Sequence, residues 1–360
     1  MSMINVESPA EWRVADLETD RSWVYDIDDA ARRDLTQVIK AAYVPDLPLF
    51  DYTRHNFELG AAGAVITKAI SEAKHGLGLA LVHGLPREGL SEKEFELMNW
   101  AIGLNAGVAR PQGRLSQYIS AVRDVGTEYR NASGRGYSSN AKLDFHVDGT
   151  DLATLGCYNI AKSGGQSMVS SSVTARKILI EERPDLAEIA HGDFYFSRQN
   201  EEAPDEAPYY AQPLYDIYDG HVFGKWNRNR VQSAQNIEGV PPLSEAQQET
   251  MDVLDAILRR QDVMFSLYLK PGDFQIVNNH VMCHSRTDYI DYDAPERKRL
   301  LNRLWLAPPD SKRLPDSWGD FFRSVEAGSV RGGIRGHEHD DACRAFEAKQ
   351  AASLGMSSVG

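Results

Sequence analysis

Two periods alternate along this chain, and together they mark out its elements. The run "GLGLALVHGLP" (76–86) is short, apolar and closed by Gly and Pro, so it predicts a buried strand. "SEKEFELMNWAIGL" (91–104) follows with a helical period. Its Ser91 and Glu94 have capping-box spacing, and Phe95, Met98 and Ile102 share one face. From 142 onward the period is mostly two. "ATLGCYNIA" and "QSMVSSSV" read as strands separated by the turn "KSGG", and a helix is expected from Thr174 to Glu182, ending before Pro184. "SEAQQETMDVLDAILRRQD" (244–262) predicts another helix, with Ser244 and Gln247 as capping box and Met251, Leu254 and Leu258 as apolar stripe. "DVMFSLYLKPGDFQIVNN" predicts two strands around the turn at 270–273, and "RLLNRLWLAPP" a last strong strand. Residues 200–220, rich in acid, Pro and Tyr, read as a long excursion suited to a lid.

Strands drawn from distant segments, with helices mainly early, indicate an α+β protein with a double-sheet jelly roll at its centre. No linker divides the chain. One domain is therefore expected over 1–325, made of an N-terminal α/β part (1–140) and a jelly-roll core (141–310), with a loosely ordered tail over 326–360.

Composition narrows the function. A net charge of −13 over 360 residues disfavours nucleic acid and anionic membranes, which need clustered Lys and Arg. A small anionic substrate stays open, because a few buried arginines suffice for one. The start "MSMINVESPAEW" lacks a basic region followed by an apolar run, so no signal peptide is expected, and no stretch has the length of a membrane span. Cys157, Cys283 and Cys343 are odd in number and far apart, which fits a reducing cytoplasm better than a disulfide framework.

The chemistry gathers around "LDFHVDGTD" (143–151). The stretch reads as a strand, in which residues i and i+2 share a face, so His146 and Asp148 are expected to project side by side. A metal needs a third ligand, and "NNHVMCHSRTDY" offers His280 and His284. Two His and one carboxylate on one face of an octahedron leave three positions open, the pattern of non-haem Fe(II) oxygenases. In "RLLNRLWL" (299–306), alternation sets Arg299, Leu301, Arg303 and Trp305 on one face and Leu300, Asn302, Leu304 and Leu306 on the other. If the first face is buried, its guanidiniums need anions. The distal carboxylate of 2-oxoglutarate is such an anion, and an Arg fork matches it.

The ordered set "FHVDGTD", "AKSGGQSMVSS", "PGDFQIVNNHVMCHSR" and "RLLNRLWL" resembles the taurine dioxygenase and clavaminate synthase-like family of Fe(II)/2-oxoglutarate enzymes, and the "VHGLP" strand with its helix fits the family's N-terminal part. The resemblance implies a double-stranded β-helix, a jelly-roll variant, with flanking helices and a lid insertion. It implies His146, Asp148 and His284 as catalytic iron ligands, favouring His284 over His280. By the same match Arg299 and Ser167 bind the cosubstrate's distal carboxylate, and Arg303 holds an acidic group of the substrate or supports the cosubstrate or a neighbouring acid. Gln166 and Ser167 stand where the family commonly has an acid followed by Thr. The implied activity consumes Fe(II)-bound 2-oxoglutarate and O2, releases succinate and CO2, and oxidises a C–H bond of a small organic acid or amino-acid-like compound. Hydroxylation is the expected outcome; an oxidative cyclase or desaturase would use the same site. A non-catalytic jelly-roll binding protein and a metal-dependent hydrolase are the rivals from other classes.

Three further features read more plainly. "GHEHDDAC" (336–343) looks like a metal-binding tract but is expected to be solvated. "KWNRNRVQSAQ" (225–235) fits either a lid edge or an exposed basic strand. Cys157 and Cys283 fit small core residues, since no base can be assigned to either.

Overall fold

The computed structural model describes residues 6–126 and 138–357. Two sheets organise it. The larger has seven strands, in the order Val24–Asp26, Leu79–His83, Phe274–Asn278, Leu152–Asn159, Leu300–Ala307 and Val108–Ala109, with Ile119–Val122 also pairing with Leu300–Ala307. The smaller sheet orders Met264–Leu267, Ser167–Ser171 and Met282–Arg286. All of these pairs are antiparallel except Val24–Asp26 with Leu79–His83.

Alternation along the strands of the large sheet separates two cores. Ala80, Val82, Phe274, Ile276, Leu304 and Leu306 point to one face, where the helices Asp29–Ala42, Gly60–His75 and Glu92–Ala106 cover them. Leu79, Leu81, Val277, Leu301 and Trp305 point to the other, into a core shared with Val169 and Met282 of the small sheet. Each buried face removes apolar surface from water at about 25 cal/mol per Å². That two-sided burial is why these strands are apolar on both faces and need helices behind them.

Most of the expected elements form. The two capping boxes close as anticipated: the Ser91 hydroxyl accepts from the Glu94 amide and the Ser244 hydroxyl from the Gln247 amide. The helix expected from Thr174 begins earlier, at Ser172, capped by Ser171, and ends at Glu182; Pro184 then opens a further short helix at its first turn, where a missing N–H costs nothing. The strands on either side of residues 270–273 form but do not pair with each other. Met264–Leu267 joins the small sheet and Phe274–Asn278 the large one, so the turn carries the chain from sheet to sheet.

Three expectations need correction. His146 and Asp148 do not sit in a regular strand. The stretch is extended, and His146 alone bridges, to Asn227 on one side and His284 on the other. Residues 200–220 are not a structureless excursion: Tyr209–Pro213 pairs with Asp193–Ser197, and Tyr215–Tyr218 with His221–Gly224. The segment after 325 is not loose. Arg331 is 1% exposed, and the helix Asp341–Ser353 docks Cys343 and Phe346 into the helical core, with Phe346 stacked 4.5 Å from Phe50. Within the tract 336–343, His339 is set against Glu347 rather than solvated. A charged sequence hid this helix because its apolar stripe is narrow and its acid is paired internally.

Candidate active site

His146 is held from both sides. Its amide donates to the His284 carbonyl (3.0 Å), the His284 amide donates back (2.9 Å), and the Val147 amide donates to the Trp226 carbonyl (2.8 Å). The Asp148 amide donates to the Asn279 side-chain oxygen (2.9 Å). Gly149 follows because the chain there passes under Phe321: a Cβ would lie 2.4 Å from that ring. The glycine in "HVDGTD" therefore serves a close approach to an aromatic side chain.

These constraints bring three side chains together. Asp148 Oδ1 lies 3.9 Å from His146 Nε2, and Asp148 Oδ2 lies 3.7 Å from His284 Nε2. The donor atoms of His146, Asp148 and His284 all fall within 4.8 Å of one another. His146 Nδ1 donates to the Asp144 carbonyl at 2.9 Å, which leaves Nε2 as the ring nitrogen facing the group. Burial, reinforced by His146 and Arg303, pushes His284 down to about 3 despite Asp148, so its ring is neutral. Burial alone would raise Asp148. Arg303, then His284, His146 and the Trp305 indole outweigh it and hold the carboxyl down at about 2. A neutral imidazole, a second imidazole offering Nε2 and an ionised carboxylate form a donor set suited to a ferrous ion. His280 lies elsewhere. Its Nε2 is 2.6 Å from Asp151 Oδ1, Arg331 pairs with the same carboxylate at 2.7 Å, and Trp318 and Phe322 surround its ring.

Leu301, Arg303 and Trp305 of the strand Leu300–Ala307, and Arg299 just before it, line the same cavity as the three side chains. Trp305 Nε1 donates to Asp148 Oδ2 at 2.8 Å; Arg303 Nη1 lies 3.5 Å from Oδ1, and its Nε donates to Gln112 at 2.9 Å. The acid beside Arg303 is thus Asp148.

Arg299 is 6% exposed and its Nη1 has no partner. Its backbone amide is tied to Asp291 Oδ1 (2.7 Å), and the guanidinium lies 5.0 Å from the Tyr289 ring. In the same cavity Ser167 Oγ donates to Gln275 Oε1 at 2.9 Å, and the buried Gln275 Nε2 has no partner. The "KSGG" turn gives the chain the room this end needs: Gly164 has φ +73°, and a Cβ on it would meet the Asp288 carbonyl at 2.2 Å. Two orphaned N–H groups and a hydroxyl in one buried corner are a site for an anionic acceptor, since an unmet buried donor costs about 1–3 kcal/mol. The residues present therefore fit both an iron ion and a dicarboxylate.

The sequence reading did not single out Gln275, Asn279, Gln112 or Lys225. Gln275 carried a signal, as a polar residue inside the buried run "FQIVN". Asn279 and Gln112 act through backbone and side-chain contacts that no local pattern announces. Lys225 lay in a segment whose exposure the sequence left open.

Comparison with known proteins follows this geometry. The profile of the family described as "Taurine catabolism dioxygenase TauD, TfdA family" matches residues 33–305. The chain is 29% identical over 317 residues to the FR-33289 synthase of Streptomyces rubellomurinus (strain ATCC 31215), covering 86% of this chain and 93% of that protein. It shares its fold with the asparagine oxygenase crystallised with Fe(II), 3-hydroxyasparagine and succinate, at TM-score 0.59 and 16% identity, covering 79% of this chain and 93% of the other. The non-haem iron oxygenase OrfP, crystallised with Fe and α-ketoglutaric acid, aligns at TM-score 0.56 and 14% identity over 79% and 93% of the two chains. Among the described residues no helix is long and apolar enough to cross a membrane.

Proposed function

The chain belongs to the TauD/TfdA family and is an Fe(II)- and 2-oxoglutarate-dependent dioxygenase with a jelly-roll core, and from that premise we propose that it hydroxylates a C–H bond of a small carboxylate- or amino-acid-like metabolite. In this reading His146, Asp148 and His284 hold the iron, Ser167 and Arg299 take the distal carboxylate of 2-oxoglutarate with Gln275 beside them, and Arg303 acts at the substrate end through its pair with Asp148. The catalytic domain takes in the C-terminal segment, whose Ile334 lines the cavity and whose helix Asp341–Ser353 docks on the body, and residues 200–220 are its lid. The observation that carries the reading is the convergence of three ligand atoms within 4.8 Å in a cavity that also holds a buried arginine nitrogen without a partner.

When bound, iron with 2-oxoglutarate and O2 supplies the oxidising power: one oxygen atom enters the C–H bond, the other enters succinate, and C1 leaves as CO2. The chain's own residues do the rest. Trp305 and Arg303 fix the Asp148 carboxylate in position and keep it ionised. Arg299, with Ser167 and Gln275, anchors one end of the cosubstrate so that its other end has a defined reach. Leu155, Val277 and Leu301 give the cavity apolar walls that limit water around the reacting carbon. The solved relatives support the substrate class, since the asparagine oxygenase holds a hydroxylated amino acid. Desaturation or ring closure would use the same residues with a second hydrogen removed and no oxygen inserted.

The test is anaerobic addition of Fe(II) and 2-oxoglutarate. The cosubstrate chelate is expected to give a weak visible charge-transfer band; full iron loading without a band would overturn the reading. A succinate-release screen against acids and amino acids then separates outcomes by product mass, one oxygen gained for hydroxylation or two hydrogens lost for desaturation or closure.

A further inference from the structure

Five cationic side chains line the cavity of a chain whose net charge is −13: Lys225, Arg230, Arg286, Arg299 and Arg303. Three of them are answered by the protein. Arg303 rests on Asp148 and Gln112. Arg230 reaches Glu201 at 3.1 Å and the Ser197 carbonyl at 2.9 Å. Arg286 is tied to the carbonyls of Ser139 and Ala141. Arg299 has its open nitrogen in the corner with Ser167 and Gln275. Lys225 remains. It is 3% exposed, yet among the described residues no hydrogen bond or ion pair engages its ammonium. What faces it is aromatic: Phe321 at 4.2 Å, with Tyr210 and Phe322 each at 5.9 Å.

The backbone shows why Lys225 sits there. Asn227 bridges His146 in antiparallel register, and the Trp226 carbonyl accepts from the Val147 amide. Continuing that register by two residues sets Lys225 opposite Asp148, with both side chains on the cavity face. A ring face attracts a cation but does not replace its lost hydration. The surroundings make the deficit worse. Burial first, then Arg230 and Arg198, draw the Lys225 ammonium down to about 7 against the pull of Asp148.

We propose that Lys225, backed by Arg230, is a second anion seat in this cavity, and that the compound oxidised carries an oxyanion group (carboxylate, sulfonate or phosphate ester) that docks there. The seat differs from the Arg299 corner in its neighbours, which are Phe321, Tyr210 and Arg230 instead of Tyr289, Ser167 and Gln275. Asn229 and Gln199 on the cavity wall supply further polar contacts, while Phe321 and Ile334 suit the carbon part of the same molecule. The inference rests on the proposed function, because it assigns Arg299 to the cosubstrate and leaves Lys225 for the substrate. An incoming oxyanion gives the Lys225 ammonium the partner that no acid among the described residues supplies.

The test titrates the anaerobic Fe(II)/2-oxoglutarate protein with acetate, methanesulfonate and methyl phosphate, read by calorimetry, in wild type and Lys225→Met. At least one probe is expected to bind wild type, and to bind the variant about tenfold or more weakly, the loss of one charge-assisted hydrogen bond. Thermal melting and the visible band are recorded alongside, and both are expected to survive in the variant, because a buried unpaired charge has been replaced by an apolar chain of similar length. Equal affinity in the two proteins, or no binding of any probe to wild type, overturns the seat. A wild type that forms no band counts against the iron and cosubstrate assignment, and the calorimetry still decides on Lys225. The probe that binds best separates a planar carboxylate from a tetrahedral oxyanion.

Discussion

Asp148 depends on two neighbours of different kinds: the Trp305 indole fixes one oxygen and the Arg303 guanidinium lies near the other. Trp305→Phe keeps most of the volume and removes one hydrogen bond. Its iron affinity is expected to fall by about 10-fold or somewhat more, in the range seen when a partner of a metal ligand is lost. Fe(II) titration checks this, and unchanged affinity would remove Trp305 from the site's support. Arg299→Ala is expected to weaken 2-oxoglutarate by about 3 kcal/mol, roughly a hundredfold, with iron binding intact. Equal cosubstrate affinity in that variant would refute the assignment of Arg299. Gly149→Ala forces a methyl toward Phe321, at 2.4 Å from its ring, and overpacking of that kind costs about 1–3 kcal/mol, readable as a lower denaturation midpoint.

At the scale of elements, the helix Asp341–Ser353 is joined to the body by one buried acid. Glu347 lies 2.7 Å from Arg110 and accepts from the Tyr118 hydroxyl at 2.6 Å. Burial would raise this carboxyl, but Arg110, His339 and Tyr118 hold it down at about 2. The folded value lies below the unfolded one of about 4.3, so the stabilisation is full above that pH and is lost as pH falls toward 2. Glu347→Gln is expected to cost about 3 kcal/mol at neutral pH, because it leaves Arg110 buried without its charge partner. It should also flatten the acid limb of a stability–pH curve. Urea melts of both proteins at pH 7 and pH 4 measure the two effects together, and parallel curves would show that the helix is held by its apolar side chains, such as Phe346 against Phe50, without help from the ion pair.

At the scale of the molecule, the proposed iron ligands come from two distant stretches of chain, the extended segment at 146–148 and the small-sheet strand Met282–Arg286, while the proposed cosubstrate residue Arg299 directly precedes the large-sheet strand Leu300–Ala307. Anything bound at that junction ties the sheets together and is absent from the unfolded chain. Saturating Fe(II) at about 100 times its dissociation constant is expected to add about 2.7 kcal/mol, a shift of a few degrees in the melting temperature, and 2-oxoglutarate at the same excess to add about as much again. Removing the metal with a chelator should reverse it. A melting temperature indifferent to loading and chelation would place the metal outside the junction.

Some of this was legible in the chain and some was not, and the division follows the range of the interaction. Capping boxes at Ser91/Glu94 and Ser244/Gln247 span three residues, so their chemistry is complete within the local sequence. The face shared by Arg299, Leu301, Arg303 and Trp305 is a property of the pleat, and the i, i+2 spacing of His146 and Asp148 brings them together even without a regular strand. Periodicity states which side of an element a residue occupies. It does not state what stands opposite. That Met264–Leu267 and Phe274–Asn278 belong to different sheets, that a charged C-terminal segment closes over Phe50, and that Lys225 faces the cavity across from Asp148 are all decided by long-range pairing. Those contacts are selected by the fit of whole faces, and such a fit exists only once the sheets have formed.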